Sequence, residues 1–318
     1  MEFVKIKMGT SLFYYIYLFA CIGVFLALYF GLRKKDEKLQ RRVLLAVLFF
    51  NFALHFIKQV FPEYLYDNFY ETGTLVRKGF PAILRKCSPE NICAISTMIF
   101  PFIYLSKWKV GKDYMFYLGI ISGVLGCIAP MPAFNLPFYS PEAIRCYICH
   151  ASLWQVPLLM VMFGHHKLDY RRIWKAFLMY FLILCIIIVN ELILIRIGWV
   201  DTSTLEDFFD PSGRDMGYAV GLPGGVMEEI GKYVLWMTPK AWKDPYVPIL
   251  WEVFPVLIYG GAGCLCLSLY WEHERVKQDV IFIVNKIKGW WKKLKSKGEE
   301  KPENQDEGEK NIEQENSD

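Results

Sequence analysis

A thiol at Cys93, imidazoles at His55 and His150, and carboxyl groups at Glu191 and Glu252 are the side chains of this sequence suited to nucleophilic acyl chemistry. In that chemistry a thiolate attacks a carbonyl, an imidazole moves the proton and a carboxylate orients the imidazole. Cys93 has the best-defined setting. The preceding residues Ser88-Pro89-Glu90-Asn91-Ile92 read as a helix start. Ser88 is the N-cap, Pro89 occupies the first helical position where its missing N–H had no partner anyway, and Glu90 complements the positive end of the macrodipole. Helical side chains lean toward the N-terminus, so the sulfur of Cys93 is expected to point back toward the membrane surface. His150 is the first choice of base and His55 the second, with Glu191 or Glu252 to orient either. Asn91, Asn190, His55 and Glu252 are the candidate substrate-binding groups. The competing reading of Cys93 is a small buried hydrophobe.

Membrane helices must position these groups. With 54% hydrophobic and 17% aromatic residues among 318, the chain is too apolar for an ordinary soluble domain. Runs of about 18 residues without a charge are long enough to cross the hydrocarbon core. The expected fold is all-α, a polytopic protein of the cell membrane with seven transmembrane helices: 11–32, 43–60, 89–106, 114–129, 145–163, 173–195 and 248–270. The first is read as a retained helix, since no small-residue cleavage site precedes the basic run after it. That run, Arg33, Lys34, Lys35, Lys38, Arg41 and Arg42, is the strongest positive-inside signal. It places the N-terminus outside and the C-terminus in the cytoplasm.

In this orientation Cys93, His55, Cys146, Cys149, His150, Asn190, Glu191 and Glu252 all fall near outer helix ends, as a pocket within the outer leaflet would require. Asn51, His55 and Lys58 share one face of the second span, either as functional groups or as polar groups satisfied between helices, Lys58 by snorkelling to the interface. His165 and His166 are expected in a solvated loop. A short interfacial helix is expected over Val226–Met237. After the seven-helix domain (1–271), residues 272–297 place Val276, Val280, Ile283, Val284, Ile287, Trp291 and Leu294 on one side and lysines on the other. That pattern suits a basic amphipathic helix lying on an anionic inner leaflet. Residues 298–318 are expected to form a disordered charged tail. Membrane lipids are the implied partners, with no nucleic acid, and oligomeric state is left open.

Cys146-Tyr147-Ile148-Cys149-His150 matches the Cys-x-x-Cys-His pattern of covalent haem attachment. Its place at the start of a hydrophobic span, with no soluble haem domain around it, argues against that use. A disulfide among Cys87, Cys93, Cys146 and Cys149, or a zinc site built from them, is a further alternative to unpaired packing cysteines. The expectation is no metal and no cofactor.

Ser88-Pro89-Glu90-Asn91-Ile92-Cys93 lines up with the helix-opening Leu-Pro-Leu-His-Leu-Cys of the YwaF-like family of integral membrane proteins, which the chain resembles. That family's eukaryotic relatives include a transmembrane lipid acyltransferase. The proline-to-cysteine spacing is kept, and the likeness continues through the glycine-bearing fourth span ending at Pro130, through His150, and to Asn190. The resemblance implies a cysteine acyl carrier, hence Cys93, with His150 as the fifth-span histidine. Ser88 and Asn91 stand where the motif has leucine and histidine, so a role for that histidine is lost here. The function expected is a lipid acyltransferase or thioesterase-like enzyme using Cys93 at the outer leaflet. The alternative is a non-enzymatic protein that binds or transports a lipid or small molecule.

Overall fold

Twenty-one residues without a charge form α1 (Leu12–Leu32), and its buried residues are Cys21 and Leu32 alone. A helix this apolar and this exposed suits contact with lipid tails, with every backbone bond closed inside the segment. The computed structural model describes residue 7 and residues 12–67, 69–70, 76–130, 133–199, 208–209, 218–222 and 226–299. The charged tail expected at the C-terminus therefore lies, from residue 300 on, outside the described residues.

α2 (Glu37–Ile57) starts at Asp36, whose carboxylate accepts from Leu39 N at 3.1 Å, and Glu37 pairs with Arg41 one turn on at 2.7 Å. Its buried residues, Gln40, Leu44, Leu48, Asn51 and His55, repeat every three or four positions and form a single inward stripe. A 3-10 turn, Lys58–Val60, leads into α3 (Pro62–Leu65). A two-residue antiparallel ribbon follows, β1 (Tyr66–Asp67) with β2 (Val76–Arg77), and then α4 (Phe80–Arg85). The bundle continues with α5 (Ile92–Leu105), α6 (Lys109–Ile128), α7 (Pro141–Met162) and α8 (Ile173–Arg196). α9 (Val226–Val234), continued by a 3-10 turn over Leu235–Met237, occupies the stretch expected to hold a short helix. α10 (Lys240–Lys243), α11 (Leu250–Pro255), a π-helical turn and α12 (Gly261–Glu299) complete the order.

Among the described residues five helices are long and apolar enough to cross a membrane: α1, α2 with its 3-10 extension, α7, α8 with the turn before it, and Leu250–Lys295. The expected third and fourth spans fall outside this set. α5 has 14 residues, a rise of about 21 Å against a hydrocarbon core of about 30 Å. α6 carries Lys109, Lys112 and Asp113 in its first turns.

α6 is nonetheless the centre of the bundle, buried continuously from Gly111 to Gly119. Its glycines allow backbone contact. A Cβ on Gly123 would lie 2.7 Å from His150 O and 2.9 Å from Trp154 N, and one on Gly126 would fall inside the His150 ring. Lipid tails are as apolar as a leucine side chain, so helices inside a membrane gain from such close contacts and from hydrogen bonds more than from water exclusion.

The chain divides into one compact unit, Met1–Ser268, and a second, Leu269–Asp318. The second begins inside α12, whose helical dihedrals break at Glu272 (φ −128°, ψ 23°). The basic segment expected from residue 272 is the part of α12 after this break. Of its expected apolar face Val280, Ile283, Val284, Ile287, Trp291 and Leu294 are exposed and Val276 is half-buried.

Candidate functional site

The thiol of Cys93 sits on the first turn of α5, and the chain leading into it is fixed by residues from distant helices. His55 Nε2 donates to Cys87 O at 3.1 Å, and Asn190 Nδ2 donates to Ser88 Oγ at 3.1 Å. Arg85 Nη2 bonds Glu191 Oε1 at 3.2 Å. His55 and Glu191 are both buried. Glu90 pairs with Lys86 at 2.9 Å. Burial pushes the Cys87 thiol up, against the opposing charge of Lys58.

The helix start differs from the sequence expectation. Asn91, not Ser88, is the N-cap: its backbone is extended and its Oδ1 accepts from Ala94 N at 2.8 Å. Ser88 was an equally good cap by type, but its hydroxyl is taken by Asn190. α5 therefore begins at Ile92 rather than Pro89, and Cys93 is its second residue, half-buried.

Below Cys93, Ser96 shares a hydrogen bond with the Tyr114 hydroxyl at 3.1 Å. Cys93 lies within electrostatic reach of Tyr114, Tyr180 and Cys146. Tyr180 donates to Glu252 Oε2 at 2.8 Å, while Glu252 Oε1 is buried with no hydrogen-bond partner among the described residues. Tyr180 is about two turns from the start of α8, the end opposite Asn190 and Glu191. Glu252 is thus held deeper in the bundle than the outer position expected of it.

His150 makes its hydrogen bonds within its own helix. Nδ1 donates to Cys146 O at 2.8 Å and lies 3.4 Å from Cys146 Sγ. That contact fixes the tautomer and leaves Nε2 with the free lone pair, above the glycine surface at Gly126. Glu191, offered as the acid that orients imidazole, is instead ion-paired with Arg85.

A second polar group beside these escaped the sequence reading. Asn51 Nδ2 donates to Ser152 Oγ at 2.5 Å and its Oδ1 accepts from Cys149 Sγ at 2.6 Å. Arg145 grips Glu142 with two bonds, 2.6 and 2.5 Å, and also reaches Cys149 Sγ (3.5 Å) and the Tyr64 hydroxyl (3.4 Å). The spacing of Asn51, His55 and Lys58 was visible as one helix face. The partners on α7 were not. Lys58 is only 3% exposed, so of its alternatives snorkelling is the one the structure does not show. All nine cysteines are free, so the disulfide considered among Cys87, Cys93, Cys146 and Cys149 is not made. Among the described residues no group of His, Cys, Asp and Glu is arranged to hold a metal ion.

The opposite end of the bundle has its own polar belt. His165 and His166, expected in solvent, are buried. His165 joins Gln40 Oε1 (3.0 Å) to the Tyr104 hydroxyl (3.1 Å), and His166 Nε2 bonds Asp113 Oδ1 at 2.7 Å. Arg172 closes on the same carboxylate at 2.5 and 3.2 Å. The partners lie on α2, α5 and α6, far away in sequence, which is why a basic loop looked solvated.

Burial, reinforced by the positive charge of Arg41, holds His165 below the usual imidazole range, with Glu37 opposing. The folded state keeps this ring neutral while the unfolded chain takes up a proton near pH 6.5, so stability is full above that value and falls as pH drops below it. The expected loss is up to about 1.4 kcal/mol per pH unit within the window between the two values. Thermal unfolding in detergent at pH 7.5 and 5.5 checks this: His165→Gln should lose less stability on acidification than the parent, and an equal loss would discount His165.

No curated protein and no solved structure matches the chain. The TMEM164 family model matches residues 7–223, a stretch that takes in α1 to α8 and every site residue above except Glu252. With several helices long and apolar enough to span a bilayer, this multi-pass membrane protein belongs to the TMEM164 family.

Proposed function

We propose that the protein is a membrane lipid acyltransferase, or a thioesterase-like relative, that carries the acyl chain as a thioester on Cys93. The observation behind this reading is the setting of the thiol. It is half-exposed on the first turn of a helix, and the chain before it is braced by His55, Asn190 and the Arg85–Glu191 pair. A fixed nucleophile is what acyl transfer needs.

In the first half-reaction the sulfur attacks an ester carbonyl, the carbonyl carbon forms a C–S bond and the C–O bond to the glycerol oxygen breaks. The thiol proton passes to a base and then to the departing alkoxide. In the second, a lipid hydroxyl or water attacks the thioester and the thiol is restored. His150, with Nε2 unprotonated, is the base in this scheme. Asn91 and His55 act by holding the nucleophile's backbone. Glu191 acts through Arg85 on the same segment, and Glu252 through Tyr180 from beneath. The scheme needs no cofactor.

A non-enzymatic lipid-binding protein is the second reading, favoured by the intrahelical engagement of His150 with Cys146. The two part on one experiment. Purified protein in nanodiscs containing a phospholipid with a labelled acyl chain should acquire label on the Cys93 peptide, released by neutral hydroxylamine. Lipid bound in stoichiometric amount with no such adduct would sink the enzyme reading in favour of the second.

The fuller topology belongs to the same proposal. α5 and α6 count as spans sheltered inside the bundle, giving seven, with the N-terminus and the Cys93 end outside. The exposed apolar residues and lysines of α12 beyond Glu272 are read as a surface for the anionic inner leaflet.

A further inference from the structure

Beyond its break at Glu272, α12 has a second exposed side, which contact with a leaflet would leave uncovered. From Arg275 to Lys297 the sequence holds eight lysines and arginines against the single acid Asp279. At 3.6 residues per turn, Val276, Val280, Ile283, Ile287, Trp291 and Leu294 form one stripe, and Gln278, Asn285 and Gly289 fall opposite it. Lys277, Lys288, Lys292 and Lys295 border this polar lane on one side and Lys286 on the other. All of these lane and border residues are exposed. Apart from Ile281 and Phe282, that side of the helix is polar. The ion pairs of α12, Glu272 with Arg275 and His273 with Glu274, both at 3.5 Å, lie at its break. Among the described residues they leave those five lysines without a carboxylate partner.

An occupant of this lane must be anionic, extended and not strongly apolar. A bilayer surface meets the stripe and the cations that flank it, while the lane on the far side of the helix faces away. A second copy of the helix brings the same positive charge and is repelled. The chain itself supplies the matching sequence. Residues 300–318 hold eight acids against two lysines, and Ile312 is their one large apolar residue. As helix, Arg275 to Lys297 measures about 35 Å. A segment of about 19 residues reaches up to about 60 Å, so the sequence that directly follows α12 is long enough to return along all of it. Tethering also gives it an effective concentration on the order of millimolar, with no separate partner to recruit.

We propose that residues 300–318 lie along the Gln278–Asn285–Gly289 side of α12 as an acidic strap. Their carboxylates pair with Lys277, Lys286, Lys288, Lys292 and Lys295, and an anionic bilayer surface competes for the same lysines. Long lysine side chains reach either way round a helix. Over neutral lipid they turn to the strap, and over anionic lipid they turn toward the stripe and release it. The strap thereby raises the density of anionic lipid needed before the helix docks. The pairing rests on α12 and its charge balance, while the competition rests also on the inner-leaflet reading under Proposed function.

The test uses the full-length protein, one copy per nanodisc, in phosphatidylcholine with and without phosphatidylserine. A zero-length carbodiimide joins a carboxylate to an amine only where the two touch. In phosphatidylcholine it should link acids of 300–318 to the five lysines. The yield should fall at least about fivefold at about 1 M salt, where the screening length drops to about 3 Å. It should fall as far when phosphatidylserine is present. Lysine acetylation, read peptide by peptide, is the second measurement. With every Glu→Gln and Asp→Asn change made across 300–318, Lys286, Lys288 and Lys292 should react at least about threefold faster than in the parent in phosphatidylcholine. Lys175 of α8, also exposed, should not change. Absence of links to 300–318 in phosphatidylcholine, or equal acetylation in parent and variant, overturns the pairing. Links of equal yield in both lipids overturn the competition, and with it the docking of α12 on an anionic leaflet, while the pairing stands.

Discussion

Replacing Cys93 with serine is expected to lower the proposed acyl transfer at least about a thousandfold, with the thermal midpoint in detergent nearly unchanged. The two halves of that expectation come from different parts of the structure. Oxygen for sulfur is close to isosteric. The segment around position 93 is held by Asn91 Oδ1, Ser88 Oγ, Cys87 O and Glu90, and the substitution touches none of them. The chemistry changes far more, because a serine hydroxyl is a much weaker acid and a much weaker nucleophile than a cysteine thiol. Asn91→Ala gives the complementary pattern. It removes the cap and costs about 1 kcal/mol of stability, and its effect on transfer follows from a loosened first turn. Transfer that survives in Cys93→Ser would mean the thiol only packs.

The largest stability effect is expected from Arg172→Leu, which should cost about 3–5 kcal/mol in detergent unfolding. Its partner Asp113 has no exposed side-chain surface and takes two bonds from the guanidinium, at 2.5 and 3.2 Å. With leucine in place the carboxylate keeps His166 alone, at 2.7 Å. A charge stripped of most of its compensation in a low-dielectric interior must be neutralised or rehydrated, and either route is paid in folding free energy. The double variant Arg172→Leu, Asp113→Leu removes the burdened charge as well and should recover a large part of the loss. Additive losses in the double variant would show that Arg172 matters for packing rather than for charge.

How much of this was legible beforehand depended on whether a feature is local. The inward stripe of α2 could be read because Gln40, Leu44, Leu48, Asn51 and His55 repeat with the helix period. The gathering of His55, Ser88, Asn190 and Glu191 at one end followed from basic segments that mark helix ends. Depth could not be read. Glu252 looked close to its helix start and was placed with the outer group, but its partner Tyr180 is deep in α8, and nothing in either sequence window announces the other. The cap was misassigned because Ser88 and Asn91 are equally capable, and the choice was made by Asn190 from another helix. His165 and His166 looked solvated because Gln40, Tyr104 and Asp113 lie on other elements.

The contact between α6 and α7 carries one more consequence. Pro157 lies inside α7, and a proline has no N–H to offer the carbonyl one turn earlier. That carbonyl belongs to Leu153, and a Cβ on Gly119 of α6 would stand 2.9 Å from it. The oxygen left without its helical donor is therefore met by the one kind of residue whose backbone can approach it, and the Cα–H of a glycine is a weak donor in its own right. Proline and glycine, usually read as two separate concessions in two helices, are here a lock and its keyway: each residue makes sense only with the other in place.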